Sequence, residues 1–169
     1  MEENARTASP DDLDRVTSLA SAAVAELTPT RGGELWARRE ARPAPVADTL
    51  AAAIDDPDQE LFVGELDGVV VGYAAVRSEP LRDGSHLAVL DDIYVDPDAR
   101  GVGVGELMMD QVVAWATDKG CVGIDSVALP GNRATKNFFE SFGLVARAIV
   151  VHRPLPTGGT DQPDRDASR

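Results

Sequence analysis

The sequence predicts a single α/β domain, a mixed β-sheet carrying helices on its faces, and three observations support this. Apolar residues switch between strand and helical spacing along the chain in the order βααβββαβαβ. A stretch near the middle, "VLDDIYVDPDARGVGVGELMMDQVVAWA" (89 to 116), passes from strand pattern through a glycine-dense turn into an amphipathic helix. At 169 residues the chain is long enough for one core that buries about two thirds of its unfolded surface, and too short for two.

The elements follow in order. "ARTAS" (5 to 9) forms a first strand, after which Ser9 caps a helix with Pro10 at its first position and Asp12 in its first turn. Leu13, Val16, Leu19, Ala20, Ala23, Val24 and Leu27 continue it at helical spacing. Two glycines and two prolines break the pattern over 30 to 45, and a second helix runs over 46 to 57. Two β-rich runs within 60 to 79 flank Asp67-Gly68, a hairpin signal. Residues 85 to 95 form a strand, 104 to 119 a helix stopped by Gly120, and 121 to 129 a strand. This is a βαβ unit, so its strands are expected to be parallel neighbours with a right-handed crossover. A helix over 133 to 142, stopped by Gly143, and a last strand over 144 to 155 complete the domain, here bounded at 1 to 155. Residues 156 to 169 lack apolar side chains able to dock and are expected to form a flexible tail.

Composition narrows the function classes. Sixteen basic residues against 29 acidic ones give a formal net charge of −13, which repels nucleic acid phosphates and anionic lipid and attracts a cationic acceptor. No apolar run approaches the ~18 residues of a membrane span. "MEENARTASP" has no basic segment followed by an apolar one, so the expected location is cytoplasmic, with no membrane and no nucleic-acid partner. Cys121 is the only cysteine and reads as an apolar strand residue; His86 and His152 are the only imidazoles, so no metal site is expected.

Gly101, Gly103 and Gly105 alternate where a strand meets a helix amino terminus. Residues without Cβ let backbone N–H groups approach a ligand, and the free first-turn amides with the helix dipole suit a pyrophosphate. A dinucleotide fingerprint would need a glycine at Glu106 (counting from Gly101) or at Met108 (counting from Gly103), and fails on both. A P-loop would need a GK pair, and no Lys stands near.

The pattern [Q/R]xxGx[G/A] is met by Arg100, Gly103 and Gly105. With "LDDIYVDPDARGVGVGELMM" and the downstream "LPGNRATKNFFESFGL", the chain resembles the GNAT superfamily of acyl-CoA-dependent N-acetyltransferases over about residues 5 to 155. The resemblance implies a mostly antiparallel central sheet with one splayed parallel strand pair and helices on both faces. It implies that Ile93, Tyr94 and Val95 offer backbone groups to the pantetheine arm and acyl carbonyl of acetyl-CoA. Arg100, Gly101, Val102, Gly103, Val104, Gly105 and Glu106 would wrap the pyrophosphate with main-chain amides, and Asn132 would hydrogen-bond the pantetheine. Such a splay needs a bulge in strand 85 to 95.

Direct transfer needs a base to take a proton from the acceptor ammonium. Asp91 and Asp92 are the candidates, and strand alternation is expected to send them to opposite faces. A polyamine acetyltransferase branch has a similar "LEDFFV" stretch whose first acid matches Asp91; this makes Asp91 the candidate general base and Asp92 a structural or acceptor-orienting partner. The alternative is that both only accept hydrogen bonds from backbone or arginine. The family's general acid is a Tyr seven residues beyond the Asn, and here that position is Phe139, which has no hydroxyl. Ser126, Tyr94, His152 or water could stand in. Acceptors in the family are gripped by the segment corresponding to 28 to 45, which holds Arg31, Arg38, Arg39, Arg42 and Trp36. Either an arginine clamps an acceptor carboxylate, or the arginines form a solvated face over buried Leu35 and Trp36. The expected activity is transfer of an acetyl group from acetyl-CoA to a primary amine of a small molecule or amino-acid-like acceptor by direct attack. The alternatives are an acyl-CoA-binding module without catalysis and transfer to a protein amino terminus or lysine. Many members of that family form dimers, so a homodimer is compatible with the resemblance.

Overall fold

Period-two runs of Val, Ile, Phe and Tyr build the sheet, and each turn between them carries a residue suited to it. The computed structural model describes residues 1–156. Strand β1 (Glu3–Thr7) leads through a 3₁₀ turn (Pro10–Asp12) into α1 (Leu13–Leu27); α2 (Gly33–Arg39) and α3 (Val46–Asp55) follow. Strands β2 (Gln59–Leu66), β3 (Val69–Pro80) and β4 (His86–Val95) come next, then α4 (Val104–Asp118), β5 (Ile124–Ser126) and α5 (Arg133–Ser141). Asp67 and Gly68 turn the β2–β3 hairpin with positive φ at both positions (49° and 77°), the primed turn that matches strand twist.

The sheet order is β1-β2-β3-β4-β5. The first three pairings are antiparallel and β4–β5 is parallel, joined by the α4 crossover. One core layer packs α4 and Phe139 of α5 against Phe62, Ala74, Val76, Ala88 and Leu90. The other packs α1 and α3 against Leu61, Val63, Tyr73 and Ala75. Helices therefore cover both faces, as expected. Gly64 and Gly72 seat α4 close to the sheet: a Cβ on Gly64 would collide with the Val104 side chain, and one on Gly72 would lie 2.9 Å from the Tyr94 carbonyl oxygen.

Three expectations are corrected. The segment 30 to 45 contains the short helix α2, whose seven residues hold too few apolar side chains to announce a helical period. The strand expected over 121 to 129 pairs only over Ile124–Ser126. Among the described residues the last strand, expected over 144 to 155, joins no sheet; residues 145–155 are exposed, and Arg147 pairs with Asp125 of β5. The tail expected over 156 to 169 lies, apart from residue 156, outside the described residues.

Candidate active site

The splay begins at a β-bulge. Ala75 pairs with Asp92 and Val76 with Leu90, which leaves Asp91 as the extra residue of β4. Below it, β4 is bonded on both sides: Ala88, Val89 and Leu90 pair with Ile124, Asp125 and Ser126 of β5. Above it, Asp92 to Val95 keep their β3 partners and have none in β5. The Ser126 hydroxyl donates to the Leu90 carbonyl (2.9 Å) at the branch point. A cavity of about 400 Å³ fills the gap, walled by the upper half of β4, by Ser126–Leu129 and by the start of α4.

The bulge also corrects the expectation for the two acids. An inserted residue disrupts the two-residue period, and Asp91 and Asp92 line the same cavity rather than opposite faces. Their environments differ. Asp92 accepts from Arg42 Nε and Nη2 (3.0 and 2.7 Å), with both side chains nearly enclosed at 13% and 11% exposure. Asp91, 36% exposed, accepts from Arg77 Nε at 3.0 Å, and Arg77 is shared with Glu79 at 2.7 Å. Burial pushes the Asp91 carboxyl above its ordinary range, the neighbouring Asp92 charge adds to this, and Arg77 and Arg42 oppose it.

The glycine turn opens on the same cavity. Gly101 and Gly103 have φ of 78° and 95°, the left-handed region that favours glycine, and the space where a Cβ would stand is open. The first intrahelical bond of α4 runs from the Leu107 amide to the Gly103 carbonyl (3.0 Å). Among the described residues the N–H groups from Gly101 to Glu106 have no hydrogen-bond partner, so six consecutive donors stand at the positive end of a helix dipole. The Val102 and Val104 side chains point the other way and pack into the α4 core, which leaves their main chains to face outward.

Arg100 locks this loop in place. Its Nε donates to the Val95 carbonyl (2.9 Å), and its Nη1 and Nη2 donate to Glu26 (3.0 and 2.8 Å). The guanidinium lies 5.3 Å from the centre of the Tyr94 ring, and the Tyr94 hydroxyl also donates to Glu26 (3.0 Å). Arg100 holds the Glu26 carboxyl below its usual range, while burial and Glu26 push the Tyr94 hydroxyl up. The Val95 carbonyl expected to face the pantetheine is thus already engaged by Arg100. Asn132 caps α5 by accepting the Thr135 amide (3.2 Å) through Oδ1. Phe139, 6% exposed, is a core residue that also lines the cavity.

Sequence reasoning missed Glu26 and Arg77 and misread Arg42. Glu26 left a trace: an acid in the last turn of α1 faces the negative end of the dipole, an unfavourable placement that calls for a cationic partner. Arg42 is neither a free clamp nor a solvated side chain, since Asp92 occupies it. Leu35, expected beneath the arginines, is 40% exposed, and Trp36 lines the cavity.

The fold and this cavity define an α/β protein whose anion-ready helix terminus opens on a splayed parallel strand pair. The chain belongs to the acetyltransferase (GNAT) family, whose model matches residues 23–144. It is 30% identical over 94 residues to an aminoglycoside N(6')-acetyltransferase type 1 of Salmonella typhimurium (53% of this chain, 65% of that protein). It is 33% identical over 104 residues to the L-amino acid N-acyltransferase MnaT of Escherichia coli (59% of this chain, 55% of that protein). The chain therefore spans less than two thirds of the length of these relatives. In fold it is similar to the aminoglycoside N-acetyltransferase AAC(6')-Iy bound to a CoA-containing bisubstrate analogue, with a TM-score of 0.70 and 20% identity over 93% of this chain and all of that one. It is also similar to a mutant of the BH1408 protein from Bacillus halodurans, with a TM-score of 0.75 and 20% identity over 89% of this chain and 99% of that one. Among the described residues no helix is long and apolar enough to cross a membrane, and no three His, Cys, Asp or Glu side chains are grouped to hold a metal.

Proposed function

We propose that the chain is an acetyl-CoA-dependent N-acetyltransferase that moves the acetyl group to the primary amine of a small cationic acceptor by direct attack. The observation that carries this is the bulge at Asp91, which opens the β5-facing edge of β4 and turns a partly desolvated carboxylate into the cavity that Gly101, Gly105 and Glu106 of the glycine turn also line. The amides from Gly101 to Glu106 suit a pyrophosphate, and the open edge of Ile93 to Val95 suits an extended, peptide-like pantetheine. The remaining donors of Asn132 are free to meet it after Oδ1 has capped α5.

Asp91 is the general base. It is the more exposed of the two cavity carboxylates on β4, and its upward shift makes it a better proton acceptor than an ordinary Asp. Asp92, held by Arg42, ties the acceptor segment to β4 and is a positioning residue. The charges favour a cation near Asp91: Arg42 balances Asp92, Arg100 balances Glu26, and Arg77 alone faces both Asp91 and Glu79. With Phe139 at the position of the acid, the thiolate leaves without a tyrosine proton; a thiol pKa near ~8.5 makes this tolerable. Phe139 also favours a second reading, a CoA-binding module that does not turn over.

Thiol release from acetyl-CoA across a panel of amines, alongside calorimetric CoA binding, separates the two. Turnover with at least one amine supports the enzyme, and CoA binding without release on any amine supports the module. Gly103→Val puts a β-branched residue at φ 95° and into the space before the amides. It should reduce CoA affinity at least about tenfold, a 1.4 kcal/mol change. Unchanged affinity would remove the loop from the site.

A further inference from the structure

On the side formed by α1, α2 and α3 the cavity is walled by apolar side chains: Ala20, Ala23, Val24 and Leu27 of α1, Trp36 of α2 and Val46 of α3. Val24, Leu27 and Trp36 are half-buried and join neither core layer. Among the described residues Trp36 pairs with no other aromatic ring, and no cation lies over its face. Alanines at 20 and 23 leave α1 without bulk on this side. A concave apolar wall that packs against nothing, beside a carboxylate suited to catalysis, marks a ligand contact.

The charges on the cavity wall are already matched. Four carboxylates line it: Glu26, Asp91, Asp92 and Glu106. Arg100 holds Glu26, Arg42 holds Asp92, and Arg77 contacts Asp91. Glu106 belongs to the first turn of α4, with the amides that suit a pyrophosphate. The reacting ammonium therefore meets Asp91, and among the described residues a second ammonium finds no unpaired carboxylate on the side of Trp36. The acceptor segment 28 to 45 opposes a second cation as well: four arginines against Glu34 and Glu40 give it a net +2, although the whole chain stands at −13. An α-carboxylate would sit beside the reacting nitrogen and so beside Asp91, and Arg42 is already engaged by Asp92. Against this wall an extra charge or hydroxyl is desolvated without a partner, whereas an apolar group gains by leaving water.

We propose that the cavity takes, as acceptor, a primary monoamine with an apolar body, above all an aryl-substituted one, whose ring lies on Trp36 and whose ammonium stands at Asp91. This rests on the acetyl-transfer reading above and narrows it, setting aside polyamines, aminoglycosides and amino acids.

Calorimetric binding of amines to the CoA-saturated protein, with kcat/KM for the same amines and acetyl-CoA, tests this. The probes are phenethylamine, ethylamine, phenylalanine, spermidine and kanamycin. Phenethylamine should lead the others at least about tenfold in both measurements, the low end of what an apolar pocket discriminates for a single methylene. Trp36→Ala should lower the phenethylamine-to-ethylamine ratio of kcat/KM by a similar factor, and Trp36→Phe, which keeps an aromatic face, should retain most of it. A ratio within one preparation is independent of the folded fraction; should Trp36→Ala not fold at all, the wild-type ranking decides alone. A preference for spermidine, kanamycin or phenylalanine, or no ranking among the amines, overturns the monoamine assignment and leaves acetyl transfer standing. So does a ratio that Trp36→Ala leaves unchanged. Phenethylamine that binds the CoA complex through Trp36 while no amine is turned over supports the subsite and overturns acetyl transfer.

Discussion

The two halves of β4 share one strand and have opposite surroundings. From Ala88 to Leu90 it lies between β3 and β5, and Ala88 and Leu90 are sealed beneath α4 at 0% and 1% exposure. From Asp91 to Val95 the β3 partners persist, the β5 partners are gone, and every residue is partly or fully accessible. A single inserted residue separates them. The lower half contributes stability and the upper half contributes open backbone and titratable groups, so substitutions on either side of the bulge should fail in different ways.

The largest separation is expected at the bulge. Asp91→Asn keeps the shape and removes the proposed base, and general-base catalysis is worth about 10²- to 10⁴-fold. The variant should lose turnover on that scale while CoA affinity and the denaturation midpoint stay at wild-type values. Full activity would remove Asp91 from the chemistry and leave the upper half a binding edge only. One residue earlier the pattern should invert. Leu90→Ala opens a cavity in the α4 core and should cost about 3 kcal/mol in chemical denaturation, with CoA affinity little changed in the fraction that remains folded.

Arg42→Ala probes whether the upper half is purely functional. Asp92 would be left nearly enclosed without a cation, and breaking such a pair costs about 3 kcal/mol. The acceptor segment would also lose its tie to β4, so the acceptor KM should rise. A rise in KM with the denaturation midpoint unchanged would mean that water already serves Asp92, and the division at the bulge would be sharper than drawn.

How much of this was legible in the sequence follows the same division. The elements, the hairpin at Asp67-Gly68, the parallel pair and the glycine turn were readable because each is encoded locally, by period or by a residue with special φ. The bulge was anticipated from the splay, but its consequence was not drawn: strict alternation put Asp91 and Asp92 on opposite faces, and inserting one residue undoes that rule. The ion pairs were invisible because Arg42 reaches Asp92 across 50 positions and Arg100 reaches Glu26 across 74, distances over which no local pattern reports. The last strand failed for a different reason. Its β-branched residues have the local preference for a strand, and local preference does not report whether a sheet edge takes the segment up.

The smallest effect is the most specific. Among the described residues Arg77 is the only cation in contact with Asp91, and its charge lowers a carboxyl that burial raises. Arg77→Met should therefore move the Asp91 pKa further up. The base works only when ionised, so the rate falls as pH drops through that pKa, and in the variant the fall should begin at higher pH. The alkaline plateau should be unchanged, because there the carboxyl is ionised in both proteins. Comparing the two with one acceptor cancels the titration of the amine, so a displaced acid limb belongs to the enzyme. Stability gives an independent sign. A folded pKa above the unfolded one means a contribution that is present below the unfolded value and lost as pH rises through the folded one. Removing Arg77 should enlarge that loss on going from acid to neutral pH. An acid limb that stays in place in the variant would show that a group other than Asp91 titrates, and the upper half of β4 would then hold the substrate without moving its proton.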